Sequence, residues 1–141
     1  MDLVTETREK IFKFENMLLQ LPQIVCPTTH DFCEGLYART MFIPKGTALT
    51  GAIHRSENFL IIRSGDISVW TEHGMKRMKA GEMVVSGEGH KRVGYAHEDT
   101  LLTTFHANPT NETDPELLWE LFTVEDASEI EHEITLMLEA K

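Results

Sequence analysis

The sequence has few cysteines and no long apolar run. Only Cys26 and Cys33 are cysteine, and their spacing fits neither a CxxC redox pair nor a zinc knuckle. No run of about 18 apolar residues occurs, and the opening residues MDLVTETREK lack the apolar block of a secretory signal. We therefore expect a cytoplasmic protein with two free thiols and no membrane partner.

Basic residues are scarce relative to acidic ones. The chain has 13 Lys and Arg against 23 Asp and Glu, which gives a formal net charge of -10 at pH 7. Residues 110–141 hold ten of the acids and one lysine, so residues 1–109 keep 13 acids and 12 bases. A nearly neutral body with an acidic tail lacks the basic face that duplex DNA and anionic membranes require. We expect no general binding to either.

Short strand-like segments dominate the middle of the chain. Apolar and polar residues alternate along these segments, and turn residues such as Ser64-Gly65 separate one segment from the next. The eight predicted strands are Leu36–Ile43, Ala48–His54, Asn58–Arg63, Asp66–Thr71, Met75–Lys79, Met83–Ser86, Lys91–His97 and Thr100–His106. Strands this close and this regular are typical of a sandwich or barrel without crossover helices.

Helices are predicted on both sides of the strands. Residues 5–20 carry apolar side chains at three- and four-residue steps up to Pro22, and residues 21–34 are predicted to be a connecting segment. Asp114-Pro115-Glu116 has the composition of a helix start, and a second helix is predicted from Thr123. The predicted organisation is an N-terminal helix and connection over 1–34, a barrel over 35–107 and an acidic helical tail over 108–141.

Two glycine-framed segments resemble the conserved motifs of the cupin family. The first motif runs Gly, five residues, His-x-His, three or four residues, Glu, six residues, Gly; here its positions hold Gly46, Ala52-Ile53-His54, Asn58 and Gly65. The second runs Gly, five residues, Pro-x-Gly, two residues, His, three residues, Asn; here its positions hold Gly81, Gly87-Glu88-Gly89, Arg92 and Ala96. The resemblance implies an all-β fold, the cupin-type double-stranded β-helix or jelly roll, with an N-terminal helix and C-terminal helices.

Three of the four positions that hold metal ligands in cupins carry other residues. Ala52 has no donor atom, Asn58 offers a neutral amide, and Arg92 keeps its positive charge, so only His54 matches a ligand. We therefore expect no cofactor and no standard metal site. If a rearranged metal site exists, its candidate ligands are His54, Glu57 and His97.

Polar residues near these motifs predict a pocket for a small molecule. A barrel of this size can hold one ligand, and an arginine beside a histidine in an apolar cavity favours an anionic metabolite or a nucleotide. The candidate ligand-binding residues are His54, Glu57, Arg92, Tyr95 and His97.

Two other functions are also compatible with the sequence. One is a cupin enzyme, either a metal-dependent oxygenase or hydrolase with a rearranged site or a metal-free isomerase in which His54 and Glu57, or His97 and Glu98, act as an acid-base pair. The other is a structural protein. Residues 54–58 and 92–100 also resemble stretches of small cupin-like proteins of bacteriophages and prophages, which implies a phage or host-cytoplasm setting. As cupins commonly do, the chain is expected to form a homo-oligomer.

Overall fold

The structure of the protein is a computed structural model that describes residues 3–71, 74–86 and 91–124. These residues form α1 (Leu3–Leu19), β1 (Thr28–Cys33), β2 (Leu36–Ile43), β3 (Ala48–Thr50), β4 (Ile53–His54), β5 (Asn58–Ser64), β6 (Asp66–Thr71), β7 (Gly74–Lys79), β8 (Met83–Ser86), β9 (Val93–Ala96), β10 (Thr100–Ala107), α2 (Pro115–Phe122) and β11 (Thr123–Val124). No helix in these ranges has the length and apolar character needed to cross a membrane.

The strands form two main antiparallel sheets. The first has the order β1-β2-β10-β5-β8 and the second the order β3-β9-β6-β7, while β4 and β11 make a separate short ladder. Several neighbours in space are distant in sequence, as where β10 lies between β2 and β5. The prediction of an all-β sandwich of the jelly-roll type is therefore confirmed.

The core lies between the inner faces of the two sheets. Because side chains alternate between the faces of a strand, each sheet turns one apolar row toward the other. The main buried cluster contains Ile43, Leu60, Ile62, Ile67, Met78 and Ala96. These residues come from both sheets, so their burial holds the two sheets together.

The first strand lies where the sequence predicted a connection. β1 occupies Thr28–Cys33 and pairs with β2 from Thr28 opposite Met41 to Cys33 opposite Leu36. The segment has no clear apolar alternation of its own, so the backbone hydrogen bonds offered by the edge of β2 determine its structure. The sheet consequently begins within the predicted connection over 21–34.

One helix near the C-terminal end has the predicted start. Asp114 caps α2, and its side chain accepts a hydrogen bond of 3.0 Å from the Glu116 backbone amide. The prediction that a second helix begins at Thr123 is wrong at that residue, because Thr123 ends α2 and pairs with His54 in the β4-β11 ladder. The rest of that predicted helix, and with it half of the acidic tail predicted over 108–141, lies outside the described residues.

Helix α1 is attached to the barrel through a buried ion pair. The Lys91 Nζ is 2.6 Å from the Glu15 carboxylate, which also accepts a hydrogen bond from the Thr50 hydroxyl. The Lys91 ammonium lies 5.3 Å from the centre of the Phe12 ring. The helix thus stabilises the wall of the sandwich next to Arg92.

Candidate functional site

A cavity of about 620 Å³ lies between the two sheets and is partly covered by α2. Aliphatic side chains from both sheets form much of its wall: Met41, Ile43, Leu49, Ile67, Val69 and Leu102. A volume of this size is in the range that holds one small organic molecule.

Two arginines reach this largely apolar cavity. Arg39 lies on β2 between Tyr37 and Met41, in the row of side chains that faces inward, and Arg92 enters from the residue just before β9. The Arg39 guanidinium lies 5.8 Å from the centre of the Trp119 ring. Burial lowers the pKa of Arg39, and within the described ranges no carboxylate forms an ion pair with it. Arg39 therefore brings a positive charge into the cavity without a carboxylate partner among the described residues.

Two histidines of the cavity wall are held uncharged. The rings of His54 and His106 stack with centroids 5.4 Å apart. Burial, followed by the charge of Arg92, the neighbouring His106 and the charge of Arg39, lowers the pKa of His54 to about 3. Burial, followed by Arg39 and Arg92, lowers the pKa of His106 to about 4. Both imidazoles are neutral at pH 7, where each offers one N–H donor and one acceptor nitrogen.

The histidine nitrogens differ in their partners. His106 Nε2 shares a hydrogen bond of 2.9 Å with the Thr104 hydroxyl. His54 Nδ1 is buried and has no hydrogen-bond partner among the described residues. A buried unpaired nitrogen is costly, and a ligand in the cavity would be able to satisfy it.

The only carboxylates among the described lining residues lie on α2. Glu116 and Glu120 both occupy exposed positions on this helix. Because they are in contact with solvent, their charges are screened more strongly than those of the half-buried Arg39 and Arg92. Away from α2, the described lining residues thus include two arginines and no carboxylate.

The structure brings together two of the five predicted site residues. His54 and Arg92 line the cavity, whereas Glu57, Tyr95 and His97 are not among its lining residues. Glu57 is exposed in the turn between β4 and β5. His97 shares a hydrogen bond of 2.7 Å with the Ser68 hydroxyl and touches the edge of the Tyr95 ring, on the outer side of the second sheet. Strand alternation separates Tyr95 and His97 from Arg92.

Sequence reasoning missed Arg39 and His106. Neither residue belongs to a cupin motif, and His106 was seen only as the end of a strand. One available signal was the inward row of β2, where Arg39 is the single charged side chain between Tyr37 and Met41. A charge within an otherwise buried row is costly unless it is satisfied, so such a position is a candidate for function.

No protein-family model and no curated protein matches the chain. Solved structures do match. KdgF from Halomonas sp. has a TM-score of 0.54 at 17% identity, over 67% of this chain and 88% of that one. A cupin-2 domain containing protein from Shewanella frigidimarina has a TM-score of 0.51 at 12% identity, over 67% of this chain and 92% of that one. The chain has the cupin fold. The DMSP lyase DddQ from Ruegeria pomeroyi also matches this chain, with a TM-score of 0.52 at 17% identity, over 63% of this chain and 49% of that one.

The donor set of this protein does not fit the metal centre of the cupin motifs that its sequence resembles. Asn58, at the glutamate position, is 4% exposed, and its amide has no hydrogen-bond partner among the described residues. Within the described ranges, no three His, Cys, Asp or Glu side chains form a group that could hold a metal ion. Arg39 and Arg92 would in addition repel a cation from the space beside His54.

Proposed function

We propose that this cupin binds a small organic anion in the cavity of its barrel, with Arg39 and Arg92 as the charged contacts. The observation that carries the proposal is the pair of arginines that line an apolar cavity with no buried carboxylate among the described lining residues. An anion placed between them would form charge-assisted hydrogen bonds in a poorly hydrated space, where such bonds are strong.

The neutral histidines support binding over acid-base catalysis. A histidine whose pKa is about 3 or 4 is a weak base at neutral pH, and it is not in the imidazolium form that donates a proton in general acid catalysis. His54 and His106 instead offer uncharged hydrogen-bonding groups beside the arginines. The enzyme alternative and the bacteriophage setting stay predictions from the sequence.

Wild-type protein incubated with a protein-free bacterial extract is expected to retain an organic anion, detected by negative-ion mass spectrometry after gel filtration and denaturation. Replacing both arginines, Arg39→Met and Arg92→Met, should reduce the retained amount at least about tenfold, because hydrogen bonds to charged groups each contribute about 1.5 to 3 kcal/mol.

The matched control for this experiment is Arg77→Met. Arg77 is exposed and donates to Asp66 at 2.8 Å, away from the cavity, so its loss should leave retention unchanged. Equal retention by the wild type and the double variant would contradict the proposal. So would a wild-type protein that emerges with no bound anion.

We also propose that two copies associate through the outer face of the first sheet. Phe105 lies opposite Phe59, and Phe59 lies opposite Val85, so an apolar row crosses three strands. Ile61 and Met83 form a second row beside it, and these five positions carry no charge. Two copies of this face can pack together without placing like charges opposite each other within the apolar rows.

A charge placed in this face should separate the copies. Phe105→Glu is expected to raise the dimer dissociation constant at least about 100-fold, because it buries two opposed carboxylates in an apolar interface. Trp70→Glu is the control, since Trp70 is 39% exposed on the other sheet and Phe105 is 40% exposed. Sedimentation velocity measures both. A wild-type protein that stays monomeric at 100 µM, or an equal effect of the two variants, would refute this interface.

A further inference from the structure

Five of the six aromatic and imidazole rings that line the cavity, all but that of Trp119, stack in pairs at small interplanar angles. Six lining residues carry rings, and they come from β1, β2, β4, β10 and α2: His30, Tyr37, His54, His106, Trp119 and Phe122. Tyr37 and His106 are 28° from parallel, His106 and His54 are 26°, and His106 and Phe122 are 17°. Aromatic pairs in proteins adopt edge-to-face as well as stacked arrangements. Rings from separate elements therefore stack with roughly one common orientation beside the cavity.

From this arrangement we propose that the bound anion is planar: an aromatic or conjugated ring system that carries a carboxylate or a phosphate. The inference rests on the proposed anion-binding function and names the class of its ligand. A flat ring placed parallel to His106 and Phe122 would continue their stack, whose centroids are 5.3 Å apart. Its other face would contact the aliphatic side chains of the opposite sheet, including Leu49 and Val69.

The charges of the cavity suit a flat anion better than a flat cation. His54 and His106 present uncharged ring faces at neutral pH, so they stack on a ring without placing a like charge beside the arginines. The Arg39 guanidinium already lies over a flat ring, that of Trp119. The buried His54 Nδ1, which lacks a partner among the described residues, would pair with a polar substituent or a ring nitrogen of the ligand.

Three probes that share one carbon skeleton separate shape from charge. 2-Naphthoate is flat and anionic, decahydro-2-naphthoate is anionic but not flat, and 2-naphthamide is flat but uncharged. In isothermal titration calorimetry at pH 7.5, wild-type protein should bind 2-naphthoate about tenfold more tightly than decahydro-2-naphthoate, through stacking. It should bind 2-naphthamide at least about tenfold more weakly than 2-naphthoate, through loss of the charged contacts.

Ring-removing variants test the same preference from the side of the protein. Two variants are tested separately, Phe122→Leu and Trp119→Leu. Each should reduce the ratio of the affinity for 2-naphthoate to that for decahydro-2-naphthoate from about tenfold to about threefold or less. Phe105→Leu, on the outer face of the first sheet, is the matched control and should leave the ratio unchanged. The readout is a ratio measured on one sample, so a partial loss of folded protein does not imitate the effect.

The possible outcomes distinguish the two proposals. Equal affinity for the two acids, both above that of the amide, would overturn planarity and leave anion binding intact. Equal affinity for 2-naphthoate and 2-naphthamide would overturn anion binding. Absence of binding by both acids would overturn both proposals.

Discussion

Alanine at Gly65 is expected to lower the free energy of unfolding by about 4 kcal/mol, through backbone strain and overpacking together. Gly65 has a φ of +100°, a backbone angle that residues with a side chain rarely adopt. A Cβ at this position would lie 2.6 Å from Thr100 Cα and would also overlap the Asp99 carbonyl oxygen. Because both neighbours belong to backbone, no side-chain rotation can relieve the overlap.

Gly81→Ala is the matched control for this prediction. Gly81 has a φ of +88°, but a Cβ there would meet no atom within 4 Å. Its replacement should cost only the backbone strain, about 1 to 2 kcal/mol. Urea denaturation followed by circular dichroism measures both variants. Equal losses would show that the close approach of Thr100 to Gly65 is not maintained in solution.

Gly65 also illustrates what the sequence predicts well. Its place in the first cupin motif, and the turn residues beside it, depend on local backbone geometry, which a short stretch of sequence encodes. The strands Asp66–Thr71 and Met83–Ser86 begin and end as predicted for the same reason. Strand β1 was missed because its pairing with β2, and not its own composition, determines its conformation.

The site was harder to predict because distant elements build it. Arg39, His106 and Trp119 come from β2, β10 and α2, and they meet only because the order of the first sheet places β10 beside β2. Arg92 was found because it has a motif position. Glu57, Tyr95 and His97 were chosen for their closeness in sequence to the motifs, and strand alternation or a turn places them elsewhere. Their predicted role in binding stays a prediction.

Lowering the pH from 7 to 5 is expected to reduce the free energy of unfolding by roughly 3 kcal/mol through His54 and His106. In the unfolded chain both histidines take up a proton near the ordinary value of 6.5, whereas their folded pKa values are about 3 and about 4. The unfolded state therefore binds more protons in this window. Their contribution to stability is complete above pH 6.5 and is lost as the pH falls toward 4.

The window from pH 7 to pH 5 isolates the histidines, since ordinary carboxyl groups titrate mostly below it. In a double variant, His54→Gln with His106→Gln, the free energy of unfolding should depend much less on pH between 7 and 5. His97→Gln, on the outer side of the second sheet, should keep the pH dependence of the wild type. Urea denaturation at several pH values gives the measurement. If the free energy of unfolding of the wild type does not change between pH 7 and pH 5, the rings of His54 and His106 are both solvated and the cavity is open to water.

Occupancy of the cavity should weaken this dependence on pH. An anion bound between Arg39 and Arg92 would offset the positive charge that, after burial, lowers the pKa of both histidines. With saturating 2-naphthoate, the loss of stability between pH 7 and pH 5 should therefore be smaller than in the free protein. If calorimetry shows binding but the loss of stability between pH 7 and pH 5 does not change, the bound anion lies away from His54 and His106. It would then lie outside the proposed site.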